Sequence, residues 1–174
     1  MIGTTHSMNK ILEQYETKEY FFSFYSPEFL NGEKIVSFLK KVDEDFNPRL
    51  TVIHDLSEYA EKIIKRADAI YAINKGDLEV CGMNVFYLRN RDSEYCYGSL
   101  LAISPDFRGK GLSKKLTEAL ISYCKTEPIK GVLCKIWSTN VKSLKMHTSL
   151  GFEIYGTEER NSSDDHTLLL KLLF

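Results

Sequence analysis

The chain has 174 residues, with 23 Lys and Arg against 24 Asp and Glu and a formal net charge of −1. That balance excludes a global basic field that would recruit nucleic acid. The hydrophobic share of 43 % and charged share of 27 % are those of an ordinary soluble domain, and the length suits a single one. No apolar run approaches the ~20 residues that cross a bilayer, and the N-terminus lacks a secretory pattern. The four cysteines (Cys81, Cys96, Cys124, Cys134) form no C-x-x-C pair and have no histidine at metal-ligand spacing. They read as reduced, mostly buried thiols of a cytoplasmic protein with no metal, and Cys96 reads as packing rather than as a catalytic thiol.

Residues 1–7 are small and polar and read as a disordered or appended end ahead of Met8, which discounts His6. Lys18 to Leu30 is rich in aromatics and reads as a strand or an irregular packed segment, and Asn31-Gly32 as a turn. Glu33 to Phe46 is amphipathic, with Ile35, Val36, Leu39, Val42 and Phe46 on the apolar side, and Pro48 closes that helix. Ser57 is the expected N-cap of a second helix that turns Tyr59, Ala60, Ile63, Ile64 and Ala67 inward. Strands then follow over Ala69–Asn74, Leu78–Leu88 and Glu94–Ser104, antiparallel and joined by turns at Lys75-Gly76-Asp77 and Asn90–Ser93. Beyond them come a helix over Gly111–Lys125, a strand over Gly131–Ser138 and a helix over Asn140–Ser149. Two last strands, Phe152–Glu158 and His166–Phe174, flank the polar turn Glu159–Asp165. The strand before residue 105 and Gly131–Ser138 should be parallel neighbours, because a helix joins them.

Between the third of these strands and the following helix lies Arg108-Gly109-Lys110-Gly111-Leu112-Ser113. Free N–H groups at a helix start make an anion site. Gly109 and Gly111 let a phosphate approach the backbone, while Arg108 and Lys110 add charge. The helix it opens has Leu112, Leu116, Ala119, Leu120 and Tyr123 on one face. The spacing is neither that of a Walker loop nor that of a dinucleotide fingerprint, since Lys114 stands where either would need another residue. A second motif lies downstream, Asn140 to Phe152, in which Asn140, Ser143 and His147 share a helical face. Val141, Leu144 and Thr148 share the neighbouring face, expected to pack on the sheet, and Gly151 ends the helix.

The loop resembles the acyl-CoA loop, [RQ]-x-x-G-x-[GA], of the GNAT (GCN5-related) N-acetyltransferase superfamily, with Arg-Gly-Lys-Gly-Leu-Ser as the better-matched variant. The second motif resembles the family's N-x-x-[AS]-x-x-[LM]-[YH]-x-x-x-G-F segment. The resemblance covers residues 69–174 well and the first 68 loosely. It implies an α/β (α+β) fold built on a central mixed, mostly antiparallel sheet of about six or seven strands, with helices on both faces. It also implies one splayed parallel strand pair. The chain then reads as a single domain over 8–174, with an acceptor-side segment over 8–68 and an acyl-CoA-binding core over 69–174. By resemblance, acetyl-CoA is held by Leu101, Ile103, Arg108, Gly109, Lys110, Gly111, Leu112, Ser113, Asn140, Ser143 and His147, with the backbone of Leu101 and Ile103 pairing with the pantetheine arm.

The implied reaction passes the acetyl group of acetyl-CoA directly to a primary amine of a small molecule or peptide. An alkyl ammonium ionises near ~10.4, so presenting the free amine at neutrality costs about 4 kcal/mol unless the site lowers that value or a base takes the proton. The leaving thiolate needs a proton or a strong hydrogen bond. His147 stands where many family members carry tyrosine, and it either donates that proton or only contacts the cofactor. Some members carry a glutamate four residues before the position of Leu101. This chain has Tyr97 there, so the base is left among Glu94, Glu79 and Tyr97. Asp43, Asp45 and Phe46 form an acidic-aromatic cluster that could attract an ammonium group, although a solvated helix face explains it too. Trp137 reads as core, and His54 and His166 as structural or surface residues. The competing reading is a non-catalytic acyl-CoA-binding or regulatory module of the same fold. Neither nucleic acid nor membrane is expected as a partner, while exposed strand hairpins leave edges through which two copies can pair as a homodimer.

Overall fold

In the computed structural model, which describes residues 10–88, 93–159 and 166–174, seven strands form one sheet in the order β1-β2-β3-β4-β5-β7-β6. They are β1 (Tyr20–Ser23), β2 (Asp68–Asn74), β3 (Val80–Tyr87), β4 (Tyr95–Ile103), β5 (Gly131–Trp137), β6 (Glu153–Glu159) and β7 (His166–Leu173). β4 and β5 are parallel, and the sheet is otherwise antiparallel. This is the mixed sheet expected from a strand–helix–strand passage set among hairpins. The β4–β5 register runs from Tyr95↔Gly131 to Gly98↔Cys134, after which β4 continues to Ile103 and β5 to Trp137. The turn expected at Asn90–Ser93 and the one at Glu159–Asp165 lie largely outside the described residues, as do residues 1–7.

The helices form where the apolar spacing puts them, but their starts differ from the sequence expectation. Helix α1 (Gly32–Val42) begins at Asn31, which is its N-cap rather than a turn residue: the Asn31 side chain accepts from Lys34 N at 2.9 Å. An Asx cap and a turn carry the same local signature, and only the chain that follows separates them. α1 ends at Val42, short of the expected Phe46, and gives way to a 3-10 turn over Asp43–Asp45, with a cis peptide at Asn47-Pro48. A short helix α2 (Leu50–Ile53), absent from the sequence reading, follows. Helix α3 (Leu56–Arg66) is capped by Asp55, not Ser57. The Asp55 carboxylate accepts from Ser57 N at 2.8 Å and Glu58 N at 3.0 Å, so Ser57 is already inside the helix. Helices α4 (Leu112–Cys124) and α5 (Val141–Ser149) follow.

The chain divides into two compact units. The first comprises Met1–Val85 with Leu100–Leu120. Its core joins Ile35, Phe38, Leu39 and Val42 of α1 and Ala60 and Ile63 of α3 to the inward faces of β2 and β3. Tyr71, Ile73, Met83 and Val85 supply that sheet side. The second comprises Phe86–Ser99 with Ile121–Phe174. There Cys96, Val132, Ile136 and Leu170 are buried on one side of β4, β5 and β7. Phe86 packs on Tyr123 with ring centroids 5.9 Å apart. Position 131, the first of β5, requires glycine because a Cβ there would collide with the Leu172 carbonyl oxygen.

The expected orientation of α5 is reversed. Val141 is 51 % exposed and Thr148 is exposed, whereas His147 is buried. The histidine ring packs edge-on against Phe152, at 5.1 Å between centroids, and that contact sets the roll of this short helix. Trp137, expected in the core, is only half-buried.

Candidate active site

Among the sequence-selected residues, Leu101, Ile103, the loop 108–113, Asp43, Asp45 and Phe46 belong to the first unit. Tyr97, Glu94, Asn140, Ser143 and His147 belong to the second.

In the first unit β4 ends at Ile103, a 3-10 turn over Pro105–Phe107 follows, and the chain then enters the glycine loop. Gly109 and Gly111 have φ of +77° and +76°, and nothing lies within 4 Å of where a Cβ would stand on either. Both conformations disfavour a side chain, and the space above them is open to a ligand. Lys115 N makes the first bond back along α4, to Gly111 O at 3.1 Å. The amides of Leu112, Ser113 and Lys114 therefore precede the first intrahelical bond, and the helix dipole places partial positive charge on them. The Leu112 side chain is buried, so that residue offers a ligand only its backbone. Diphosphate fits this loop: an open glycine backbone, a helix start and two cations meet in six residues.

Both cations already have partners. Arg108 donates from Nε to Ile103 O at 3.1 Å and pairs through Nη2 with the Asp45 carboxylate. Lys110 donates to the Tyr20 hydroxyl at 2.9 Å and lies over the Tyr20 and Phe107 rings, 5.7 and 5.4 Å from their centroids. The Tyr20 hydrogen bond raises the Lys110 ammonium above its usual range, so it stays charged. Sequence reasoning missed Tyr20 and Phe107 here; the aromatic richness around Tyr20 was the available signal, but its partner is 90 residues away. Asp43 is buried, and its two carboxylate oxygens accept from Thr51 N and Thr51 Oγ1, both at 2.8 Å. Those bonds, the one from the Thr51 amide first, hold it below the usual carboxylate range. Phe46 is half-buried beside the core of this unit. Ser104 Oγ, where β4 ends, is the one fully buried side-chain oxygen without a hydrogen-bond partner among the described residues.

In the second unit Asn140 caps α5, its side chain accepting from Ser143 N at 3.1 Å. One turn later His147 Nδ1 lies 2.9 Å from Ser143 O. A carbonyl oxygen can only accept, so Nδ1 carries the proton and the neutral ring keeps its lone pair on Nε2. Burial pushes the His147 pKa below its ordinary value, against the opposing pull of the Ser143 carbonyl. Tyr97 is half-buried, and burial raises its phenol above the usual value. Glu94 is exposed and paired with Lys130 Nζ at 2.6 Å. In the first unit, Glu79 is likewise exposed and paired, with Lys41 Nζ at 3.1 Å. Burial pushes the Cys81 and Cys134 thiols up to about 12, which leaves them protonated and inert. All four cysteines are free, and no group of metal-ligating side chains occurs among the described residues.

Residues 36–152 match the model of the acetyltransferase (GNAT) family. The chain belongs to the GNAT acetyltransferase family. Solved structures with the same fold lie at low identity. The ribosomal-protein-S18-alanine N-acetyltransferase of Escherichia coli superposes with a TM-score of 0.71 at 13 % identity, over 88 % of this chain and 93 % of that one. A GNAT-family acetyltransferase from Streptococcus pneumoniae gives 0.71 at 16 %, over 90 % and 99 %. A protein of Bacillus anthracis str. Ames assigned as a streptothricin acetyltransferase, in complex with acetyl coenzyme A, gives 0.56 at 20 %, over 66 % and 67 %. No curated protein matches the chain by sequence. GNAT membership supports an acetyltransferase, and no helix among the described residues is long and apolar enough to cross a membrane.

Proposed function

We propose that this GNAT protein transfers the acetyl group of acetyl-CoA to a primary amine of a small-molecule or peptide acceptor, by direct attack while both are bound. The observation that carries the reading is the glycine loop: two left-handed glycines under open space, two lysine or arginine cations, and the unbonded amides that open α4. Gly109, Lys110, Gly111, Leu112 and Ser113 would hold the diphosphate through main-chain amides, with Arg108 and Lys110 adding charge. The backbone of Leu101 and Ile103 would pair with the pantetheine arm, and Asn140, Ser143 and His147 would add cofactor contacts. The thioester supplies an activated acetyl group.

In the transfer, a new N–C bond forms, the C–S bond breaks, and the proton lost by nitrogen ends on the coenzyme A sulfur. His147 suits this passage as an acceptor first. Its neutral ring, protonated on Nδ1 by the Ser143 contact, has Nε2 free to take a proton and then return it to the thiolate. Donation without prior uptake would need a ring already charged in the resting protein, which burial opposes; by the proposed route the ring is charged only between uptake and return. Tyr97, with its raised pKa, is a hydrogen-bond donor at neutral pH rather than a base. Glu94 would act only through water and after leaving Lys130. Four free cysteines, three of them buried, fit a reducing compartment such as the cytoplasm.

Calorimetry with coenzyme A, followed by thiol release from acetyl-CoA across a panel of amines, tests the reading. Saturable binding together with amine-dependent release is expected, and Gly111→Ala should weaken that binding roughly tenfold by straining a left-handed position at the loop. Binding without release on any amine would identify a non-catalytic acyl-CoA-binding module instead, and absent binding by folded protein would end both readings.

A further inference from the structure

The register of the second unit sorts its side chains onto two faces. Residues paired across a ladder point the same way, and neighbours along a strand alternate. Tyr97 pairs with Leu133, Lys135 lies two residues on, and Lys171 and Leu169 are their partners on β7. These residues share one face. The other face carries the buried Cys96, Val132, Ile136 and Leu170. On the face of Tyr97, by contrast, none of those residues is buried, and Lys135 is exposed.

The groups on the open face are chemically mixed. Lys135 Nζ donates to both oxygens of Glu158, at 2.8 and 2.7 Å. Tyr97 lies within electrostatic reach of Lys135, Glu158 and Tyr155. Tyr155 is the extra residue of a bulge between Ile154 and Gly156, and its ring lies 6.0 Å from Lys171 Nζ. A phenol, an ammonium and a carboxylate therefore meet on a sheet surface bordered by aromatic rings. The acidic cluster that the sequence offers an ammonium is engaged elsewhere, Asp43 by Thr51 and Asp45 by Arg108.

We propose that this face receives the amine acceptor, and that Lys135 and Glu158 select an amino carboxylic acid by exchanging their mutual contact for its carboxylate and its ammonium. The inference rests on the acetyl-transfer reading and names the acceptor class for it. Charge complementarity carries it. A two-charge pair of opposite sign matches a zwitterion, whereas a simple amine would leave Lys135 without a counter-ion. The exchange is cheap, since a half-exposed ion pair is held only weakly in water and little is lost on its release. Glu158 orients the nitrogen beside Tyr97, whose hydroxyl can accept or donate as the proton leaves.

The test uses the full chain and three matched acceptors: an amino acid, its primary amide, and the amine left on decarboxylation. Thiol release from acetyl-CoA should favour the amino acid over the other two by roughly tenfold or more in kcat/KM. Lys135→Met should raise the KM for the amino acid about tenfold with little change in kcat, and bring its preference over the amide close to unity. Lys135→Arg should restore most of the preference, and melting curves check that each variant folds. Equal rates on all three acceptors with the unaltered chain would overturn the proposal and leave acetyl transfer standing. Failure on every amine, with coenzyme A unbound, would remove the acetyl-transfer reading and this inference together. A dimer in sedimentation that Lys135→Met dissociates would show the face to be covered by a second copy, which also overturns it.

Discussion

His147 shows how one contact decides a residue's chemistry. Its Nδ1 faces the Ser143 carbonyl oxygen at 2.9 Å, so the proton must sit on Nδ1 and Nε2 must accept. The helical spacing of Asn140, Ser143 and His147 is legible from the sequence; the tautomer is not, because it depends on where the ring turns once Phe152 packs against it. Removing the imidazole should therefore cost chemistry rather than binding. His147→Phe is expected to lower kcat about a hundredfold, within the range of acid–base catalysis, while the KM for acetyl-CoA changes less than about threefold. Steady-state rates on the variant check this, and an unchanged kcat would take His147 out of the proton path. Asn31, Asp55 and Asn140 teach a similar lesson about caps. Each is a residue type that turns and helix starts share, and the identity of the N–H it accepts from separates the two.

At the scale of elements, the glycine loop stands out from the sequence because its demands are local. Left-handed backbone, adjacent charge and a helix start are all written within six residues. Its connection to the turn after α1 is not local, since Asp45 and Arg108 are 63 residues apart. Asp45 sits where a diphosphate would compete with it for Arg108. Asp45→Asn should release that guanidinium and tighten acetyl-CoA binding by a few-fold, the scale of an exposed ion pair. It should also steepen the dependence of that binding on salt. Calorimetry at two ionic strengths reads both effects. A raised KM for the amine with unchanged coenzyme A affinity would instead assign Asp45 to the acceptor. The reversed roll of α5 belongs here too: nine residues carry too few apolar positions to define a face, and the buried histidine decides it.

For the whole molecule, three groups among the described residues have folded-state pKa values below their ordinary ones: His147 through burial, Asp43 through the hydrogen bond from the Thr51 amide, and Glu61 through the hydrogen bond from Lys65. In each case the unfolded chain binds a proton more readily than the native one, so stability is present above the unfolded pKa and lost as pH falls. The melting temperature should hold from pH 8 to about 6.5, decline below that as His147 protonates on unfolding, and drop further below about 4 as the two carboxylates follow. Thermal melts across this range check it. His147→Phe should abolish the first decline and keep the second, and a flat profile between pH 6.5 and 5 in the unaltered chain would contradict the burial argument.

The parallel β4–β5 pair and family membership both follow from short-range signals in the chain: apolar periodicity, turn residues, and two motifs in register. Such signals act between residues a few positions apart, where backbone geometry alone sets the outcome. Folding had to supply the rest. It partners Arg108 with Asp45 and Lys110 with Tyr20, aligns Lys135 with Glu158 on one sheet face, and buries His147. Each of those depends on groups brought together from distant positions or on the side of an element that gains cover. No local propensity specifies a contact of that kind, because its energy exists only once the intervening chain has been closed into place.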